Sequence, residues 1–329
     1  MLEFLVKRIL LCILILVFVM FIVYALMYSL PTSYVENMAR ELATKPGSLK
    51  SASEWLTELN AAYGFDRGIL GGYLHWAKTA LSGDFGDSWY WTVPVTEKFN
   101  DVIWVSFWMG LVSFVLEILI AIPLGVLAAR KQYSMTDYTV TVIALIGISL
   151  PTFFTATILK LIFGVKLGWF DIMGMQGRDY HLLSEWGQFM DVCKHMVLPV
   201  ATLVIVSIGS LMRYTRTNML EVLNSDYIRT ARAKGLTEKR VINYHAFRNT
   251  LIPLVTILGG SLPGLFSGAL ITETLFGIRG IGYASYHSMV NGDIPFTMFY
   301  LAFISILTLL GNLISDILYA VVDPRVRVH

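Results

Sequence analysis

Side chains with catalytic or metal-binding potential are scattered along this sequence. It contains 6 histidines and 2 cysteines, Cys12 and Cys193, and none has a partner at the spacing that metal sites use. No serine, histidine and aspartate set and no pair of catalytic carboxylates indicates a shared active site. The glycine-rich stretch Gly277–Gly282 follows no strand and lacks the Gly-Lys-Ser/Thr of a phosphate-binding loop. We therefore predict a protein that is not an enzyme and whose own residues bind no metal or cofactor.

Three charged residues interrupt long apolar segments: Glu117, Lys160 and Asp316. A charge at the centre of a bilayer costs about 2.5–3.5 kcal/mol on insertion scales, so such groups face the protein interior, a cavity or one another. Asp316 lies near the end of its segment and is interpreted as a helix-end or interior group. Glu117 is the candidate for a polar contact on a substrate path, with an interior pair as the alternative.

The composition is that of a membrane protein. The chain has 329 residues, of which 56% are hydrophobic, and a mean hydropathy of +0.64, whereas soluble domains are about 45–50% apolar. Only 15% of the residues are charged, and the net charge is +2. We expect the lipid bilayer, and not a nucleic acid, to surround this chain.

Six apolar segments are long enough to cross about 30 Å of hydrocarbon. The first is read as a span and not as a signal peptide, because its apolar core is long and Pro31–Tyr34, which follows it, is not a cleavage site. A polar segment, Pro31–Asn100, is predicted to lie outside and to contain a short helix over Ser53–Ala62. The predicted spans are Ile9–Leu30, Val102–Ala129, Tyr138–Phe163, His195–Met212, Leu251–Leu275 and Phe296–Val322.

Basic residues set the expected orientation. Eight of the 25 lysines and arginines lie between Arg213 and Arg248, between the fourth and fifth spans. Clusters of this kind mark cytoplasmic loops, which places both termini in the cytoplasm. The simplest interpretation is that this loop is only a topology signal, and the alternative is that it docks a cytoplasmic partner.

The loop has the pattern of two short helices around one glycine. Ser225 is placed to cap a helix over Asp226–Lys234, and Gly235 follows where a left-handed helix end favours a residue without a side chain. Thr237 is placed to cap the second helix. Leu236 before this cap and Val241 after it have the spacing of a hydrophobic staple.

The stretch YIRTARAKG, which ends at Gly235, resembles the coupling loop of binding-protein-dependent ABC importer permeases. It is most similar to the dipeptide/oligopeptide/nickel branch and its oligopeptide permease B-like subunits. Arg229, Thr230 and Ala231 stand where the general family motif has Glu-Ala-Ala, and Pro253 lies further downstream than in that motif. Both departures are usual in the peptide branch. The segments Ser149–Phe154, Gly83–Ser88 and Glu273–Phe276 are also similar to that branch.

The resemblance implies an all-α membrane protein with the type I ABC importer permease fold and six transmembrane helices. Residues 1–94 would form the first transmembrane helix and the extracytoplasmic loop region. Residues 95–323 would form the importer-type transmembrane domain, with the coupling loop at 213–250, and residues 324–329 a cytoplasmic tail.

The implied function is that of a permease subunit in the prokaryotic cytoplasmic membrane. It would form half of the path for di- and oligopeptides. Its partners would be a second homologous permease, two cytoplasmic ABC ATPases that bind ATP and Mg, and an extracytoplasmic solute-binding protein. Nickel complexes, glutathione and oligosaccharides are alternative substrates. A stand-alone secondary transporter is the alternative of another class, although neither internal repeats nor a charged relay across the spans is visible.

The resemblance also implies which residues couple the permease to an ATPase. Within the loop, Tyr227, Ile228 and Ala231 would supply apolar contact with an ATPase. Charge complementarity would come from Arg229, Arg232 and Lys234. The expected coupling residues are Asp226, Tyr227, Ile228, Arg229, Thr230, Ala231, Arg232, Ala233, Lys234 and Gly235. The candidates for the translocation path are Glu117, Pro151 and Glu273.

Overall fold

The computed structural model describes residues 2–29, 34–44, 50–62 and 65–322, and regular structure in them is helical apart from one isolated bridge between Asp87 and Pro94. The α-helices in chain order are α1 (Leu2–Tyr28), α2 (Tyr34–Thr44), α3 (Ala52–Ala62), α4 (Gly68–Leu81), α5 (Val95–Arg130), α6 (Met135–Ser149), α7 (Thr152–Leu159), α8 (Glu185–Leu223), α9 (Asp226–Ala233), α10 (Glu238–Arg240), α11 (Phe247–Ser261), α12 (Leu270–Phe276), α13 (Ile281–Val290) and α14 (Ile294–Val322). The expected tail at 324–329 lies outside the described residues.

Five helical segments of the described residues are long and apolar enough to cross a membrane, and a sixth is counted if one sharply bent pair forms a single span. The five are Lys7–Tyr28, Val95–Arg130, Glu185–Leu223, Glu238–Phe266 and Ile294–Ile314. The prediction of an all-α membrane protein is therefore confirmed. Several of the expected span boundaries are wrong.

The expected third span is broken. Its two halves, α6 and α7 with the π-helical turn Lys160–Lys166, meet at an angle of 104°. The cause is Pro151, because a residue before proline avoids the helical conformation and Leu150 is accordingly extended (φ −83°, ψ 123°). Proline itself, with φ −60°, suits the start of the next helix.

Two further expected boundaries are wrong. Helix α8 begins at Glu185, ten residues before the expected fourth span, because the hydroxyl of Ser184 caps it by accepting the Gly187 N–H at 3.3 Å. The expected fifth span does not continue to Leu275. After α11 the chain forms a 3₁₀ turn, Leu262–Phe266, and leaves the helical path at Gly268, which has a left-handed backbone (φ +75°).

The segment between the first two spans holds more helix than hydropathy indicates. The predicted helix over Ser53–Ala62 is confirmed as α3. Helix α2 of this segment was not predicted, and neither was α13, which lies between the fifth and sixth spans. Both are short, and α13 is only weakly amphipathic, so the sequence pattern for it is faint.

The described residues form two compact units. The first unit comprises the chain up to Trp104 together with Ile281–Leu310. One of its cores joins α1 to α4, where Tyr73 packs on Met20 and Tyr24 and its hydroxyl donates to the Val17 carbonyl at 3.0 Å.

The second unit comprises Val105–Gly280 and the segment from Gly311 onward. Its helices approach closely at small residues. A Cβ on Gly125 of α5 would lie 2.7 Å from the Met212 carbonyl oxygen of α8, and one on Gly147 of α6 would lie 2.6 Å from that of Ile205. Both distances are below contact, so only glycine permits this packing. Helix α8 is therefore held between α5 and α6.

Candidate coupling site

Helix α9 follows α8 after a two-residue turn. Ser225 occupies the predicted N-cap position with an extended backbone, but the prediction that its side chain caps the helix is wrong. Its hydroxyl instead donates to the Val222 carbonyl at 2.6 Å. Asp226 lies in the first turn and approaches Arg229 at 3.6 Å, a pair so exposed that it contributes little stability.

Gly235 ends the helix as predicted, with a left-handed backbone (φ +77°). Its N–H donates to the Arg232 carbonyl at 2.9 Å, and the Leu236 N–H reaches back to the Ala231 carbonyl at 3.4 Å. These two bonds form a Schellman motif. A Cβ at Gly235 would meet no atom within 4 Å, so backbone conformation, not space, requires glycine here.

The second half of the loop starts at Thr237, whose side chain makes no capping hydrogen bond. Leu236 and Val241 pack in the same apolar cluster, which confirms the predicted hydrophobic staple. The short helix α10 continues through a π-helical segment, Val241–Ala246, into α11. The loop thus joins α8 to α11 through ordered structure.

The inner face of α9 is part of the core of the second unit. Ile228 is completely buried and Ala231 nearly so. They pack in a cluster with Ala129, Met219, Val241, Ile242 and Ala246. The expectation that Ile228 and Ala231 offer apolar contact to another protein is therefore wrong, because hydrophobic spacing marks a buried face without telling which chain buries it.

The outer face of α9 is open and polar. Tyr227 is 48% exposed, and the other exposed residues are Asp226, Arg229, Thr230, Arg232, Ala233 and Lys234. Arg232 is not an isolated charge. Its guanidinium makes two hydrogen bonds to Glu238, at 2.7 and 3.4 Å, across the Gly235 turn. Arg229 and Lys234 remain the outward cations of this face.

The candidates for a translocation path lie in different surroundings. Glu117 is half-buried on α5, near Ser207 of α8. Pro151 is exposed at the break between α6 and α7. Both positions remain predictions for a path.

Glu273 is enclosed. Its Oε1 accepts hydrogen bonds from the Ser106 hydroxyl at 2.7 Å and the Ala269 N–H at 2.9 Å, and the residue has no exposed surface. Next to it, Lys160 donates to the Leu275 carbonyl at the end of α12. In this structure the Glu273 carboxylate holds α12 in place and does not line an open surface.

No group of three or more histidine, cysteine, aspartate or glutamate side chains is arranged to hold a metal ion within the described part of the chain. A strong ion pair that the sequence pattern missed joins Asp137 of α6 to Arg216 of α8. The two residues are far apart in sequence, and no short-range pattern links them.

Comparison with known families decides the assignment. The model of the binding-protein-dependent transport system inner membrane component matches residues 121–328. The N-terminal model of the same transport systems matches residues 1–89. The chain belongs to this family. As a binding-protein-dependent permease it is a multi-pass protein of the cytoplasmic membrane and is not itself an enzyme, and the alternative of a stand-alone secondary transporter is wrong.

Relatives of this permease are permease proteins of oligopeptide and dipeptide transport systems, which is the subunit type that the resemblance indicated. The oligopeptide transport system permease protein AppB of Bacillus subtilis is 40% identical over 256 residues, covering 78% of this chain and 79% of AppB. The dipeptide transport system permease protein DppB of Escherichia coli K12 is 33% identical over 99% of both chains. The oligopeptide transport system permease protein OppB of Haemophilus influenzae is 33% identical over 83% of this chain and 86% of OppB.

Proposed function

We propose that this chain is a permease subunit of an ATP-driven ABC importer and forms half of a path for di- and oligopeptides. Membership of the binding-protein-dependent family carries this proposal, and the names of its relatives, which are oligopeptide and dipeptide permeases, favour peptides over the other substrates of the branch. A second, similar permease completes the path. An extracytoplasmic binding protein delivers the substrate, and two cytoplasmic ATPases bind ATP and Mg.

The loop between α8 and α11 is the proposed contact with one ATPase. Its location in the cytoplasm is supported by its density of basic residues. Helix α9 offers Tyr227 as an exposed aromatic anchor, with Arg229 and Lys234 as cations beside it. Tyrosine and arginine are among the side chains that dominate the energetics of many protein interfaces.

The loop would transmit movement because it is ordered at both ends. The inner face of α9 is packed on α8 and on the π-helical segment that leads into α11. When the ATPases close around ATP, displacement of α9 would carry the adjoining ends of α8 and α11 with it. Substrate would enter while the path is open to the outside and leave to the cytoplasm after hydrolysis.

The test is to tag the full chain, purify it in mild detergent and identify the proteins that accompany it. The proposal expects ATPases with phosphate-binding loops and one similar permease. The purified complex, reconstituted with its binding protein, should take up labelled alanine peptides of two to six residues only when ATP is present. A chain that purifies alone and transports when reconstituted alone would refute the proposal.

A further inference from the structure

Asp137 and Arg216 form a two-pronged ion pair between α6 and α8. The Arg216 Nε lies 2.6 Å from Asp137 Oδ1, and one terminal nitrogen lies 2.8 Å from Oδ2. The Asp137 side chain is only 3% exposed and that of Arg216 25%. Paired hydrogen bonds between a guanidinium and a carboxylate fix orientation as well as distance.

The carboxylate is fixed from its own helix as well. Asp137 lies in the first turn of α6, where a negative charge is stabilised by the helix dipole. Its Oδ2 also accepts the Tyr133 N–H at 2.9 Å, while the Ser134 hydroxyl caps the helix by accepting the Asp137 N–H at 3.4 Å. Arg216 therefore binds a carboxylate that is held in a fixed position at the beginning of α6.

The pair lies close to the loop that the proposed function assigns to the ATPase. Arg216 precedes the end of α8 at Leu223 by seven residues, which is about 10 Å along a helix. Only Asn224 and Ser225 separate α8 from α9. Movement of α9 therefore reaches Arg216 through two turns of continuous helix.

The same two helices are locked further along. Gly147 of α6 lies against the Ile205 carbonyl, and Gly209 of α8 lies against the Ala144 carbonyl, with no room for a Cβ at either glycine. Close-packed surfaces of this kind resist sliding, because movement requires another complete packing arrangement. The far end of α6 is the break at Pro151.

We infer that Asp137 and Arg216 are positioning residues that make α6 move as one body with α8. Displacement of α9 would thereby reach the Pro151 break in the third span as well as α8 itself. The inference rests on the proposed function, since it needs an ATPase to act on α9. The ion pair would connect the loop to α6, a helix that does not adjoin the loop along the chain.

The first test compares Arg216→Gln with Arg213→Gln in the full complex, reconstituted with its ATPases and binding protein. Arg213 is exposed on the same helix, one turn earlier, and it is the matched control because the structure places it within α8 and not in the loop that joins α8 to α11. Uptake of labelled trialanine and ATP hydrolysis are measured in the same vesicles. Arg216→Gln should lower the number of peptides carried per ATP about fivefold or more, the usual lower bound for coupling between sites, while Arg213→Gln leaves it unchanged.

Asp137→Asn should behave like Arg216→Gln, and the double variant should be no worse than the worse single variant, because residues that act through one another are not additive. A merely structural pair would lower the yield of complex and scale uptake and hydrolysis together. An unchanged ratio in well-assembled variants would overturn the inference.

A cross-linking experiment tests the inference even if the single variants fail to assemble. Asp137→Cys and Arg216→Cys are combined in a chain whose Cys12 and Cys193 are replaced by serine, and are joined by a short thiol cross-linker. If α6 and α8 move as one body, the linked complex transports as well as or better than the reduced one. Loss of transport on linking would show that the helices must slide, which contradicts the inference.

These outcomes are distinct from failure of the proposed function. If the unmodified complex shows no ATP-dependent uptake of any of the alanine peptides, the importer proposal fails for peptides and the ion pair is not responsible. If the unmodified complex transports and the Arg216 and cross-linking results contradict expectation, only the positioning inference fails.

Discussion

Asp293 is a buried carboxylate at the start of α14 that ties two segments of the first unit together. Its Oδ2 accepts the Ser88 hydroxyl at 2.5 Å, and its Oδ1 accepts the Trp89 N–H at 3.1 Å and the Phe296 N–H at 3.3 Å. The last of these bonds caps α14. Ser88 in turn accepts the Trp91 N–H at 3.0 Å, so one carboxylate orders the aromatic turn at 88–91.

This network predicts a pH dependence. Burial raises the pKa of the Asp293 carboxyl above its usual range, and its hydrogen bonds oppose that rise. The folded chain therefore binds a proton more tightly than the unfolded chain, and this contribution to stability is lost as pH rises through the raised pKa. The melting temperature in detergent, followed upward from about pH 4, should fall in part for this reason.

Asp293→Asn should remove that part of the pH dependence, because the amide does not titrate. Asp101→Asn serves as the control, since Asp101 is exposed. A difference in melting temperature between the native chain and Asp293→Asn that stays constant over the whole pH range would contradict the assignment.

Gly280 is a second residue whose role is fixed by its immediate neighbours. A Cβ there would lie 2.7 Å from the Glu273 carboxyl carbon and still closer to the Ser106 hydroxyl. Gly280→Ala should therefore destabilise the chain by about 1–3 kcal/mol through overpacking, and thermal denaturation would measure this. Gly264→Ala is the matched control, because a Cβ at Gly264 meets nothing within 4 Å. Equal melting temperatures for the two variants would contradict the packing around Glu273.

At the scale of elements, the turn between α9 and α10 depends on one left-handed residue. Gly235→Val should leave membrane insertion intact but uncouple uptake from ATP hydrolysis, because a β-branched residue resists φ +77°. Gly235→Asn should retain most coupling, since asparagine tolerates this conformation better. The measurement is peptide uptake per ATP in vesicles, at matched expression. Normal uptake by the valine variant would refute the role given to this turn.

The two faces of α9 should respond differently to truncation. Ile228→Ala removes a fully buried side chain and should cost about 2–5 kcal/mol of stability. Tyr227→Ala removes an exposed ring and should leave the melting temperature nearly unchanged while weakening retention of the ATPases by about tenfold. Affinity purification and thermal melting of both variants would separate these effects. If Ile228→Ala kept its full stability but lost the ATPases, and Tyr227→Ala retained them, the assignment of the inner and outer faces of α9 would be reversed.

Local signals explain what could be predicted about these elements. A glycine after an amphipathic helix, a staple at Leu236 and Val241, and an apolar run such as α1 are recognisable from neighbouring residues. The sequence shows a proline at 151 but not that the span breaks there, because transmembrane helices tolerate proline. The angle of 104° between the two halves cannot be read from the neighbouring residues.

Long-range partners explain what could not be predicted. The resemblance makes Glu273 a candidate for the path, yet its partner Ser106 lies 167 residues away in the sequence. Ile228 and Ala231 were correctly seen as apolar, but only the fold shows that the same chain covers them. Arg216 and Asp137 meet across 79 residues for the same reason.

At the scale of the whole molecule, the spans present much apolar surface, as a chain in lipid must. Leu119 and Trp108 on α5 and Phe18 on α1 are among the large side chains that are more than half exposed. Lipid and the proposed second permease would share this surface between them.

The orientation of the chain yields a last prediction. Basic residues concentrate between Arg213 and Arg248, so this loop should be cytoplasmic and the segment that contains α4 should be outside. In a chain with Cys12 and Cys193 replaced by serine, a membrane-impermeant maleimide should label Leu81→Cys, whose leucine is 91% exposed, in intact spheroplasts. It should label Lys239→Cys, an exposed position that we expect on the cytoplasmic side, only after the membrane is permeabilised. The reverse pattern would place the loop outside, where no ATP-hydrolysing partner could reach α9, and would remove the basis of coupling through it.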